Sequence, residues 1–105
     1  GIYCNNDTMA MGALEAVIAA NSECVIVGTD GTSEALESIK AGELDATVDF
    51  FPTTMGAIGV EMQIRKLGGQ EVPKVIYAPQ CVRDIDNAEM SFEEIFGYEY
   101  APVFE

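Results

Sequence analysis

Histidine and tryptophan are absent from this chain, and basic residues number only five. Without histidine the commonest general base is missing, and no Ser/His/Asp or Cys/His arrangement can be assembled. The three cysteines, Cys4, Cys24 and Cys81, are odd in number and lack C-x-x-C spacing, so with no imidazole to join them they argue against a zinc site. They read as small buried hydrophobes, although Cys4 and Cys24 fall in or beside neighbouring predicted strands and a bridge between them is conceivable. Nothing in the pattern calls for a metal, a cofactor or a catalytic residue. The one local candidate for an acid/base pair is Asp30 with Asp49.

Eighteen acids against the five bases give a net charge of −13. Nucleic acid and anionic membranes are recognised by clustered Lys and Arg, so neither is an expected partner, and solubility is the plain reading of the charge. No apolar run approaches the roughly 18 residues of a membrane span, and no basic-then-apolar leader opens the chain. The chain begins without Met inside a strand-like segment, which suggests a piece of a longer protein.

What is present is a core-forming composition, 49% hydrophobic over 105 residues. A chain of this size buries roughly two-thirds of its unfolded surface. Its centre is Val25-Ile26-Val27-Gly28-Thr29-Asp30-Gly31-Thr32, an apolar β-branched run ending in an aspartate between glycines. That is the form of a buried parallel strand delivering a carboxylate. Ile2-Tyr3-Cys4 running into Asn5-Asn6-Asp7, and Ala46-Thr47-Val48 running into Asp49-Phe50-Phe51-Pro52, repeat the form.

Each strand is followed by a helical pattern. The first helix starts at Asp7 or Thr8 and runs to about Ala20, with Ala10, Ala13, Leu14, Val17 and Ile18 toward the sheet. The second follows the turn and cap Gly31-Thr32-Ser33 and buries Ala35, Leu36 and Ile39. The third starts at Thr53 and runs to about Leu67; Gly56 and Gly59 within it each weaken it by about 1 kcal/mol relative to Ala, usually offset by close packing. A fourth strand is expected over 74–78, then a short apolar piece at Cys81-Val82. Ser91 with Glu94 is a capping-box signature for a short helix carrying Phe92, Ile95 and Phe96. The acidic, aromatic end, 97–105, is either an arm packed on the rest of the chain or a partner-binding segment.

Three successive βα units predict an α/β fold with a parallel sheet and right-handed crossovers. All strand carboxyl ends then share one edge, where Asn6, Asp30 and the Asp49-Phe50 pair converge. An amide, a carboxylate and a ring around one crevice suit a neutral polyhydroxylated ligand. Asn6 and Asp30 equally suit turn and cap roles, and spacing alone leaves the two readings even.

The runs NNDTMAMGALEAV (5–17), VGTDGT (27–32) and ESIKAGELDATV (37–48) resemble the carboxyl-terminal part of the ribose- and galactose-type periplasmic sugar-binding proteins, whose fold also serves as effector domain in LacI-type repressors. The resemblance covers about 2–82. It implies a two-lobed protein of parallel sheets flanked by helices, with ligand in a hinged cleft. Residues 1–49 would finish the second lobe, 50–80 would form a hinge crossing plus a helix and strand packed on the first lobe, and 81–105 would be the return crossing and tail. Asn6 matches the family's amide ligand residue and Asp30 its carboxylate, while Phe50 stands where members often carry Gln or Asn.

The implied function is extracytoplasmic binding of a sugar or polyol, in the periplasm or as a cell-surface lipoprotein, for an ABC importer permease or a membrane receptor. The missing N-terminal lobe would be the chain's nearest partner. The alternative is a LacI-type effector domain, which needs a helix-turn-helix that this chain does not contain.

Overall fold

The computed structural model describes residues 1–101. Its elements in order are β1 (Ile2–Tyr3), α1 (Asp7–Ala19), β2 (Ile26–Asp30), α2 (Ser33–Lys40), β3 (Ala46–Asp49), α3 (Pro52–Leu67), β4 (Cys81–Arg83) and α4 (Phe92–Phe96). One sheet in the order β1-β2-β3-β4 holds the strands; the first three are parallel and β4 runs antiparallel to β3. The α/β class with a parallel-dominated sheet and flanking helices follows from the three βα units.

Local chemistry accounts for the helix starts. Asn6, rather than Asp7 or Thr8, caps α1, its Oδ1 accepting from the Met9 N–H at 2.8 Å. Asp7 is instead drawn inward and buried. Thr32 caps α2 through its Oγ1, which accepts from the Ala35 N–H at 3.3 Å. Pro52 opens α3, where its missing N–H costs nothing. Ser91 and Glu94 complete the expected capping box on α4, and Gly97 closes it at φ 76°.

The apolar core is gathered in the first two βα units and the turn into β3: Cys4, Ala10, Leu14, Ile26, Ala35, Ile39 and Leu44, with Ala88 added from the turn after β4. Ala13 and Val17 pack at its margin as their spacing predicts, whereas Ile18 points to solvent. All three cysteines are free, with Cys4 buried and no bridge to Cys24.

Beyond Asp49 the chain departs from a sphere. The radius of gyration is 17.0 Å, with extents of 59 × 24 × 17 Å, against about 13 Å for a compact domain of about 100 residues. In α3 the one buried residue is Glu61, and Met55, Val60, Ile64 and Leu67 are exposed. The close packing expected at Gly56 and Gly59 is not found; a Cβ at either would meet nothing within 4 Å.

The strand expected over 74–78 is also not formed. That segment lies along α3, with Val75 and Tyr77 exposed, and has no neighbouring strand among the described residues to receive its backbone groups. Residues Cys81–Arg83 take the fourth place because they run beside β3, pairing Val48 with Val82 and Asp49 with Cys81. Apolar β-branched sequence marks a segment able to pair, while pairing itself requires a partner within reach.

The carboxyl-terminal arm packs on the rest of the chain. Phe92 lies 5.1 Å and Phe96 5.5 Å from the Phe51 ring, and Tyr98 stands edge-on to Phe92 at 5.5 Å. Further along, the Tyr100 hydroxyl donates to Glu61 Oε2 at 2.6 Å, while Arg65 holds Oε1 of the same carboxylate. Phe104, also expected in this arm, lies outside the described residues.

The bond to the Glu61 carboxylate favours the neutral phenol, and with burial and the Glu61 charge it outweighs the lowering effect of Arg65. The Tyr100 pKa is thereby pushed from its ordinary 10.0 up to about 12. Because the folded value is the higher one, whatever this contact adds to stability is present below about pH 10 and is lost as pH rises toward about 12. Near-ultraviolet titration of phenolate absorbance is expected to show one late-ionising tyrosine that disappears in Tyr100→Phe; a wild-type curve without the late step would remove the contact.

Candidate functional site

The parallel strands bring Asn6, Asp30 and Phe50 to the same carboxyl edge of the sheet, where ligands bind in open α/β folds. Asn6 lies beyond β1, Asp30 ends β2 and Phe50 follows β3, with Asp30 paired in register to Asp49. An open hollow of 520 Å³ at the opposite edge, between Leu14, Val17, Val25 and Asp45, contains none of the three.

A buried carboxylate builds this edge. Asp7, only 1% exposed, stands in the first turn of α1, where free N–H groups and the helix dipole favour an anion. Its Oδ1 accepts from Thr47 Oγ1 at 2.6 Å and its Oδ2 from the Thr32 N–H at 2.8 Å. Thr47 Oγ1 in turn accepts from the Gly31 N–H at 3.3 Å. One carboxylate therefore fastens α1, the β2–α2 turn and β3 together. Gly28 follows from it, because a Cβ there would stand 2.3 Å from Asp7 Oδ1 and 3.1 Å from the Ala10 Cβ.

A second carboxylate is neutralised. Asp49 Oδ2 accepts from Arg83 Nη1 at 2.8 Å and its Oδ1 from the Phe51 N–H at 2.8 Å. Arg83 donates further from Nε and Nη2 to the carbonyls of Asn87, Ala88 and Met90, and its guanidinium lies 5.8 Å from the Phe51 ring centroid. Both members of the pair are buried, which is tolerable only because every nitrogen and carboxylate oxygen of the pair has a hydrogen-bond partner. Burial pushes the neighbouring Cys81 thiol above its ordinary value; Arg83 acts against that shift and Asp49 with it.

The third carboxylate is free. Asp30 is exposed, and its side chain makes no hydrogen bond among the described residues. Its backbone is held at φ 126°, a conformation rare outside glycine. Such strain costs on the order of 1–3 kcal/mol and gathers at functional positions. Asn6 commits its carbonyl oxygen to the α1 cap, and its amide nitrogen has no partner among the described residues. Phe50 is half-buried and makes no ring contact there, the aromatic cluster forming around Phe51 instead.

Three residues of this edge were not read from the sequence as site-builders: Asp7, Thr47 and Arg83. Asp7 looked like a cap and Thr47 like one more β-branched strand residue. Arg83 did carry a signal, as the only basic residue after Lys74 in a strongly acidic stretch.

The periplasmic binding protein domain family matches residues 1–71, and the chain belongs to that family. The ribose import binding protein of Haemophilus influenzae is 42% identical over 71 residues, covering 68% of this chain and 24% of the relative. An ABC transporter periplasmic solute-binding protein from Actinobacillus succinogenes 130z, solved with bound D-allose, superposes with a TM-score of 0.80 at 34% identity, covering 85% of this chain and 32% of that one. The Caulobacter myo-inositol binding protein, bound to myo-inositol, gives 0.76 at 34% identity, covering 88% and 32%. The chain thus spans about a quarter of the length of the curated relatives it matches.

The Asp7 network sets two expectations. Thr47→Val leaves a buried carboxylate oxygen without its donor and is expected to lower stability by about 1–3 kcal/mol. Gly28→Ala forces a methyl group onto Asp7 and is expected to cost about 1–3 kcal/mol by overpacking. Chemical denaturation of both variants checks them, and wild-type stability in either would show that Asp7 is not held as described.

Proposed function

We propose that this chain is the carboxyl-terminal part of an extracytoplasmic solute-binding protein that closes two lobes over a sugar or polyol. It would deliver that ligand to an ABC importer permease or present it to a membrane receptor. In this reading residues 1–49 complete one lobe, and 50–80 cross a hinge and supply a helix to the other lobe. Residues 81–105 return and form the arm. The exposed apolar face of α3 and the unpaired 74–78 segment are then surfaces that the N-terminal lobe covers.

The observation that carries the ligand reading is Asp30: a strained, exposed, unengaged carboxylate at a sheet edge whose other two aspartates are occupied. A neutral polyol offers hydroxyl donors to such a group, the Asn6 amide adds a donor, and the half-buried Phe50 ring can cover an apolar sugar face. Relatives named for ribose import, and neighbours solved with D-allose and myo-inositol, support a pentose, hexose or cyclitol. They also support the transport reading over a LacI-type effector domain, and a binding role over catalysis. The periplasmic relatives favour the same compartment here, with a cell-surface lipoprotein as the anchored form of that role.

Calorimetry on the full-length protein against ribose, D-allose, myo-inositol and related polyols tests the proposal. Hydrogen bonds to a charged group contribute about 1.5–3 kcal/mol each, so Asp30→Ala is expected to weaken binding by about 2–5 kcal/mol after partial replacement by water. That is a loss of roughly thirtyfold or more. Phe50→Gln is expected to reorder the preference among sugars more than it changes overall affinity. Unchanged affinity in Asp30→Ala would remove the site, and an unaltered order in Phe50→Gln would confine Phe50 to packing.

A further inference from the structure

Among the described residues, three that are not glycine hold a left-handed backbone: Asn21, Asp30 and Phe51. Two of them flank one side chain, that of Asp49. Asp49 Oδ1 accepts from the strained Phe51 N–H. The same carboxylate packs on Gly31, immediately after Asp30, so closely that a Cβ on Gly31 would fall 2.3 Å from Asp49 Cγ and 2.6 Å from its Oδ1. Gly31 is itself left-handed, at φ 73°. The Asp30-Gly31 turn therefore rests directly on the Asp49 carboxylate.

That carboxylate has its position set from elsewhere. Arg83 fixes Oδ2 and is itself held by three carbonyls of the turn after β4, so its planar fork has little freedom left. The line of contact runs from Arg83, through Asp49, to Gly31 and Asp30. It joins a residue 53 positions further along the chain to the candidate ligand carboxylate (83 against 30). The charge matters as well as the shape. Asp49 is in register with Asp30, and an unpaired carboxylate there would repel the Asp30 charge; Arg83 cancels it.

The geometry points to the Asp49–Arg83 pair as the positioning device of the ligand site: it holds the strained Asp30 carboxylate in its binding orientation and ties that orientation to Phe51, where the chain leaves the sheet. Neither residue touches the ligand. This inference rests on the function proposed above, since it takes Asp30 as a ligand group.

The test measures affinity for ribose, D-allose and myo-inositol in the full-length protein, well below each variant's melting temperature. Asp49→Asn and Arg83→Gln are each expected to weaken the best-bound sugar by about tenfold while leaving the order of preference unchanged. The double variant is expected to bind no more weakly than the worse single, because Arg83 acts through Asp49. If Arg83→Gln does not fold, Arg83→Lys keeps the cation but cannot hold Asp49 and the carbonyls together, and it is expected to show the same loss. A purely structural pair would lower the melting temperature and leave affinity at wild type, which overturns the inference while Asp30→Ala still weakens binding. If Asp30→Ala itself binds normally, the site reading fails and the inference falls with it, a separate and recognisable result.

Discussion

The carboxylate of Asp7 is the constraint on which this edge of the sheet depends. A buried charge without partners is costly enough that it would neutralise or move, so the groups that meet it are fixed by it. Asp7 itself stands in the first turn of α1, and those groups come from two other units: the Thr32 N–H at the start of α2 and the Thr47 hydroxyl in the middle of β3. Gly28 is small because Asp7 is there. With these joined, the ends of β1, β2 and β3 form a rigid rim rather than three independent loops.

Three aspartates at one rim have been driven to three different conditions by their surroundings. Asp7 is buried and satisfied by neutral donors, Asp49 is buried and paired with a cation, and Asp30 is exposed and uncommitted. In a chain of net charge −13 such a concentration of acid would repel itself, and the one arginine of the last thirty residues is spent where two of the acids meet in register. What is left uncommitted at the rim is a single carboxylate, Asp30, with the Asn6 amide and the Phe50 ring on the same edge.

The second half obeys a different balance. α3 is long and well terminated, with Arg65 and Lys66 in its last turn, yet it buries almost nothing apolar. Its contacts with the described chain are the polar Glu61 cluster and the 73–78 segment that lies along it beside Ile58 and Met62. A helix gains most of its stability from a buried apolar face, and Met55, Val60, Ile64 and Leu67 find no cover among the described residues. The relatives being nearly three times longer is consistent with the cover lying in a part that this chain does not include.

What the sequence by itself determined was whatever short-range chemistry controls. The three βα units were legible because buried strands read as β-branched runs and helices as spaced apolar residues. The Ser91–Glu94 box was legible because both partners lie within one turn, and Asp30 because a carboxylate at a strand end needs only the strand to place it. The tertiary structure alone decided what depends on distant partners. Thr47 meets Asp7 across 40 positions and Arg83 meets Asp49 across 34, and no local pattern distinguishes such a threonine or arginine from a surface one. The same reason moved the fourth strand from 74–78 to 81–83: both segments can extend, but only the second lies beside β3, and a strand exists where its hydrogen bonds are received.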